Sequence, residues 1–268
     1  MESLPFETLG LLFGVALLAG FVDSIAGGGG LLSLPALLSV GLTPVQAVAT
    51  NKLQSSFGSF SAALRFVRNG EADPRRMLVM IGFTALGSAG GAILVQILDT
   101  EFLRDVIPVL LIGIALYLLL SPKAGDVDAR QRLSEGAFAL ICGTTIGFYD
   151  GFFGPGTGTF FTIAFVTALG FNLRKATAHT KILNFTSNIV GLLFLLAGGH
   201  ILWVAGLLMG VGQFLGAQIG AQLVINNGAR LVRPMLVAAS LAVTARLVWT
   251  DPDNILRGAA SALLHWFL

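Results

Sequence analysis

The 268 residues carry 16 Lys+Arg against 14 Asp+Glu, 11% charged in all, whereas 55% are hydrophobic and the mean hydropathy is +0.84. An ordinary soluble domain is about 25% charged, so this chain cannot coat a soluble globule, and a net charge of +2 excludes a nucleic-acid-binding surface. One cysteine, Cys142, in an apolar run excludes a disulfide framework and a Cys-based metal site; the chain reads as an all-α polytopic membrane protein.

A transmembrane helix needs about 20 mainly apolar residues. Between the charge clusters the sequence predicts spans near 5–26, 45–67, 77–98, 105–121, 134–153, 176–197, 202–224 and 231–249. No Lys or Arg precedes the first apolar run, so it reads as a retained helix rather than a secretory signal. Two apolar pieces, 31–41 and 157–169, are too short to cross comfortably. Each follows a glycine-rich break, Gly27 to Gly30 or Gly154-Pro155-Gly156-Thr157-Gly158. Gly87, Gly91, Gly206, Gly210, Gly212, Gly216 and Gly220 predict close helix packing. Gln213, Gln218 and Gln222 suit bonds across helices or contact with substrate. The segment 251–268, with Arg257, His265 and Trp266, suits an interfacial tail.

The chain repeats itself. Gly20-Phe21-Val22-Asp23 with Gly27 to Gly29 matches Gly147-Phe148-Tyr149-Asp150 with Gly154 to Gly156, an offset of 127 (20 to 147). After a two-residue insertion the offset is 129 (52 to 181). Ala47, Ala49 and Lys52 then fall on Ala176, Ala178 and Lys181, Gly70 on Gly199, and Leu86-Gly87 on Leu215-Gly216. Later, Arg104 and Pro108 match Arg230 and Pro234. This divides the chain into a first repeat (1–121), a linker (122–133), a second repeat (134–250) and the tail (251–268).

The positive-inside rule orients the halves. Arg65, Arg68, Arg75 and Arg76 make the loop at 66–76 cytoplasmic, whereas its counterpart, Ala197 to His200, has no Lys or Arg. The loop at 170–175 has Arg174 and Lys175, whereas 41–44 has neither; Lys123, Arg130 and Arg132 place the linker inside. Each half then holds three full spans plus a glycine-broken helix and a short half-helix, 8–10 membrane segments in all. The odd parity inverts the second half and leaves both termini external. Inverted repeats with broken helices predict a secondary transporter with a midplane site.

Three groups of residues suit chemistry there. The breaks leave free N–H groups and a helix-dipole end inside the membrane, which suits an anion at Gly28, Gly29 and Gly30 and at Gly156, Thr157 and Gly158; close packing with a hinge is the other reading. Lys52 and Lys181 share one register, and a charge at depth costs about 2.5–3.5 kcal/mol unless it faces a cavity or partner. Ser55 shares the Lys52 face, as do Asn184 and Asn188 that of Lys181. Thr50, Asn51 and Gln54 neighbour the first set, and His179 and Thr180 the second. Ammonium, amide and hydroxyl donors suit a small oxyanion, although snorkelling to the interface also accounts for a lysine. Asp23 and Asp150 read as proton carriers, as partners for the lysines when substrate is absent, or as structural carboxylates at the breaks. His179 has no metal-ligand companions and suits polar packing better than a proton relay. No cofactor or metal is expected.

The duplicated Gly-Phe-x-Asp block with its glycines, followed by Ala47 to Lys52 (Ala-Val-Ala-Thr-Asn-Lys), resembles the TauE/SafE sulfite exporters, also called TSUP permeases. The second copy, Ala176 to Lys181, resembles the same signature with His179-Thr180 in place of Thr50-Asn51, and Pro155 and Thr157 depart from the first copy's polyglycine. The resemblance spans essentially the whole chain. It implies a bacterial inner-membrane permease moving sulfite, a sulfonate or a related sulfur anion, usually outward; Asp23 and Asp150 make protons a candidate partner. The alternatives in view are a passive anion channel, an uptake carrier for a small organic anion and, remotely, an intramembrane enzyme or assembly factor. Against the last stands the absence of a nucleophile–base pair or metal cluster in the predicted spans.

Overall fold

The computed structural model of the chain describes residues 4–99, 101–103 and 128–227. The expected spans at 105–121 and 231–249, Lys123, the repeat matches from Arg104 and Arg230 onward, and the tail lie outside the described residues. The first half has α1 (Phe6–Ala26), α2 (Gly30–Ser39), α3 (Pro44–Arg68) and, after a 3-10 turn at Pro74–Met77, α4 (Leu78–Ile97). The second has α5 (Glu135–Phe138), a π-turn (Ala139–Gly143), α6 (Thr144–Phe152), α7 (Thr157–Leu169), α8 (Leu173–Leu196) and α9 (Trp203–Asn227). Predicted and observed boundaries agree within about three residues. The exception is 134–153, expected as one helix. Its ladder widens over one turn at the π-turn, and Thr145 Oγ1 donates back to the Ile141 carbonyl (2.7 Å).

Local signals set the starts. Thr43 and Gln46 form a capping box ahead of Pro44, Ser134 accepts from the Ala137 N–H, and Asn172 accepts from the Lys175 N–H. Among the described residues, three helical segments are long and apolar enough to cross a membrane: Phe6–Ala26, Pro74–Ile97 and Trp203–Asn227. The other long helices, α3 and α8, are 25 and 24 residues, and both bury polar residues. Asn51, Lys52, Gln54 and Ser59 of α3, and Lys181, Asn184, Ser187 and Asn188 of α8, are inside, while Leu18, Leu86, Ile93, Val204, Val211 and Ile219 are exposed. That inversion of the water-soluble pattern is what a lipid surround permits.

Glycine sets how closely the helices approach. A Cβ on Gly216 would run into the Leu17 carbonyl, one on Gly20 into the Gln213 backbone, one on Gly91 into the Phe148 carbonyl and one on Gly151 into that of Ser88. So α1 meets α9, and α4 meets α6, backbone to backbone. Gly206 and Gly210 instead admit the side chains of Leu53 and Phe57.

One end of the molecule gathers charge. Arg174, at the start of α8, pairs with Glu71 in the α3–α4 loop (Nε to Oε2 3.0 Å), and the Asn172 N–H donates to Asp128 (2.7 Å). Ala129 and Arg132 donate to the carbonyls of Gly170 and Ala168. At the other end Leu42, Val45, Leu103 and Ile201 share one apolar cluster, and the Leu202 N–H donates to Thr50 Oγ1 (3.1 Å). The α3–α4 and α7–α8 loops therefore lie together, and α3 and α8 run in opposite directions. Leu12 of α1 shares a cluster with Leu37 of α2, and Phe138 packs on Phe165 of α7 (centroids 4.7 Å apart). Each short helix thus folds back along the helix before it.

Candidate functional site

Two broken helices meet in the middle of the bundle. α1 ends at Gly27, whose φ of 77° is left-handed and whose N–H donates to the Asp23 carbonyl (2.7 Å). The second break turns on Gly154 and Gly156, at φ 102° and 83°. The breaks touch: Gly27 and Gly158 leave each other no room for a Cβ, and Thr159 Oγ1 donates to the Ala26 carbonyl (2.6 Å). Only glycine allows both the turn and this approach.

The polar faces of α3 and α8 close over the breaks, and their lysines pair crosswise. Lys52, fully buried, donates to Asp150 Oδ1 of the second half (2.7 Å) and to Asn188 Oδ1 (3.2 Å). Lys181, also buried, donates to Asp23 Oδ2 of the first half (3.1 Å) and to the Asp23 carbonyl. Asp150 further accepts from Thr157 Oγ1 (3.0 Å) and from Ser187 Oγ, and Asp23 Oδ1 from the Gly29 N–H (3.3 Å). Asp23, Gly27, Gly30, Asn51, Ser55, Asp150, Gly154, Gly158, Asn184 and Asn188 enclose about 10 Å³, close to the room one water needs.

The structure therefore brings together Lys52, Lys181, Asp23, Asp150, Asn51, Ser55, Asn184, Asn188, Gly30 and Gly158, with Gly29 and Thr157 bonded to the carboxylates. Gly28 and Gly156 sit in the breaks, their carbonyls accepting from Leu31 and Thr159. Gln54 and Thr180 are one layer out. Gln54 Nε2 donates to Asn51 Oδ1 (2.7 Å), while its buried Oε1 has no hydrogen-bond partner among the described residues; Thr180 bonds Thr162 (3.1 Å). Two residues are not brought in. Thr50 accepts from the Leu202 N–H, and His179 lies between Phe165 and Phe171 with Nδ1 on the Lys175 carbonyl (2.8 Å). Each precedes its lysine by two positions, about 200° round the helix. His179 instead lines a separate cavity of about 540 Å³ at the charged end, with Glu71, Asp73, Arg76 and Lys175. Among the described residues no three His, Cys, Asp or Glu come close enough to hold a metal.

Four supporting residues escape the sequence reading. Ser33 donates to Asn51 (2.6 Å), just as Thr162 bonds Thr180, so each short helix is pinned to the long one after it. These two hydroxyls occupy matching repeat positions (33 and 162, offset 129), a signal the sequence contains. Ser187 and Tyr149, whose hydroxyl donates to the Pro155 carbonyl, have Gly58 and Val22 at the matching positions, so the repeat gives no hint of them.

An apolar exterior around buried, oppositely paired charges where broken helices cross is the build of a polytopic membrane transport protein. The profile of the sulfite exporter TauE/SafE family matches residues 12–247, and the chain belongs to that family. It is 50% identical over 258 residues to the probable membrane transporter protein YfcA of Escherichia coli K12, covering 96% of this chain and 93% of that one. It is 46% identical over 247 residues to a probable membrane transporter protein of Haemophilus influenzae, covering 92% and 97%. A 134-residue stretch is 32% identical to sulfite exporter TauE/SafE family protein 2 of Arabidopsis thaliana, covering 48% and 29%. No solved structure matches the chain. The protein is a membrane transporter, not an enzyme.

Proposed function

We propose that this chain is a secondary transporter that exports a small sulfur-containing anion, sulfite or an organosulfonate, across a bacterial inner membrane by alternating access. The two halves act as inverted repeats about a midplane site. The carrying observation is the crosswise pairing, in which each half supplies the lysine that neutralises the other half's aspartate. Opposed α3 and α8, and the matching backbone contacts of α1 with α9 and α6 with α4, support the same reading.

The mechanism follows from charge and room. Two lysines and two aspartates are formally neutral together, and about 10 Å³ admits nothing larger than water. An anion must therefore take the place of a carboxylate on a lysine and push the breaks apart. The added charge is balanced when the displaced carboxylate takes up a proton, which couples proton movement to the anion. The glycine turns are where the backbone yields, and rocking of the halves about α3 and α8 exposes the site to one side at a time. The substrate class rests on the family's name and on the ammonium, amide and helix-end donors, which suit a small oxyanion.

Counterflow tests this reading. Proteoliposomes preloaded with unlabelled sulfite and diluted into a trace of radiolabelled sulfite are expected to accumulate label transiently, with saturable initial rates. Flux that neither saturates nor overshoots would identify a passive channel instead.

A further inference from the structure

We infer that the two ion pairs have different duties: Lys181 is the cation that receives the anion in exchange for Asp23, and Lys52–Asp150 is a strut that stays closed through the cycle. This rests on the transport reading above and assigns its binding step to one lysine.

The two pairs occupy matching repeat positions, so the difference lies in what surrounds them. Both oxygens of Asp150 are held by side chains: Oδ1 by Lys52 and Thr157, Oδ2 by Ser187. The matching positions in the first half are Gly30 (for Thr157, offset 127) and Gly58 (for Ser187, offset 129), and neither has a hydroxyl. Asp23 is left with Lys181 at 3.1 Å and the Gly29 N–H at 3.3 Å, the longer bonds of the two sets. Its side chain keeps 11% of its exposure, against 2% for that of Asp150.

The backbones differ in the same sense. Tyr149 ties α6 to the Pro155 carbonyl, and Thr157 Oγ1 also reaches the Gly154 carbonyl (2.6 Å), so side chains clamp the second break. The first break, Gly27 to Gly30, has no side chain of its own, and Val22 stands where Tyr149 would. Lys181 also keeps a partner when the carboxylate leaves, because it donates to the Asp23 carbonyl at the C-terminal end of α1, where the helix dipole favours a cation. The lysine stays in place while the Asp23 side chain swings away.

The geometry defines the ligand. Asp23 spans the Gly29 N–H with one oxygen and Lys181 with the other, so its replacement must offer two oxygens from one centre, as sulfite, a sulfonate or a carboxylate does. A monatomic anion has one acceptor centre and does not reproduce the two separate contacts.

The test is stabilisation of purified full-length protein by sulfite, with chloride as the monatomic control. Asp23→Asn removes the internal competitor and is expected to lower the half-saturating sulfite concentration by about tenfold, the scale of one charge-assisted contact. Asp150→Asn is expected not to tighten binding, and to lower the melting temperature further than Asp23→Asn does. A charge exchange gives a second comparison that does not depend on Asp150→Asn folding. Lys181→Asp with Asp23→Lys should lose sulfite binding, whereas Lys52→Asp with Asp150→Lys should weaken it less. Equal responses of the two pairs, or the reverse order, in a wild type that binds sulfite would overturn the division of duties alone. A wild type stabilised by none of sulfite, sulfonate or carboxylate would overturn the transport reading and the ligand assigned here with it. Stabilisation by chloride as strong as by sulfite would overturn the two-oxygen requirement.

Discussion

Lys52 has no exposure, and its charge is tolerable only because Asp150 and Asn188 replace water. Breaking such a pair is costly because the partner stays buried and charged. Lys52→Ala is therefore expected to destabilise the protein by about 3–5 kcal/mol, whereas the double variant Lys52→Ala with Asp150→Ala recovers part of that loss. Unfolding in detergent checks this; a double variant as unstable as the sum of the two singles would mean the pair is not coupled. The residues of the centre were legible because duplication printed them twice: Lys52 with Lys181, and Asp23 with Asp150. Their crosswise pairing was not, since a repeat gives register within each half and says nothing of which half faces which. Thr50 and His179 lie outside the centre for a simpler reason: residues two apart in sequence point to different sides of a helix.

At the scale of elements, composition and glycine spacing account for most of the assembly. Gly216 and Gly91 lie where another backbone leaves no room for a Cβ, whereas Gly82 of α4 has nothing within 4 Å of that position. Gly216→Val and Gly91→Val are expected to abolish recovery of folded, monodisperse protein, and Gly82→Val to leave it unchanged, as judged by size-exclusion chromatography. Equal recovery of all three would contradict backbone-to-backbone packing. The short helices were legible from their length and glycine breaks, and the caps Thr43 and Asn172 mark where α3 and α8 begin. The π-turn at Ala139–Gly143 was hidden, because widening one turn leaves the apolar composition of the span unchanged.

Over the whole molecule, Arg75, Arg76, Arg130, Arg132, Arg174 and Lys175 belong to the end stitched by the Glu71–Arg174 pair, whereas 41–43 and 197–202 at the other end have no Lys or Arg. By the positive-inside rule we propose that the first end is cytoplasmic. In a Cys142→Ala background, Asp73→Cys should resist a membrane-impermeant maleimide in spheroplasts until they are lysed, and His200→Cys should react at once; the opposite pattern would reverse the orientation. Hydropathy alone marks three of the described segments as spans, because α3 and α8 trade apolar residues for the polar ones that face each other. Their helical extent was legible from charge spacing and the repeat, whereas which polar residues they turn towards each other was not. The most direct test of the account is thermal stabilisation of the purified protein by sulfite, wild type beside Lys181→Ala, since a ligand that binds the folded state raises its apparent stability. A rise in melting temperature with sulfite that disappears in Lys181→Ala is the predicted result. A variant stabilised as strongly as wild type would contradict the lysine-centred site.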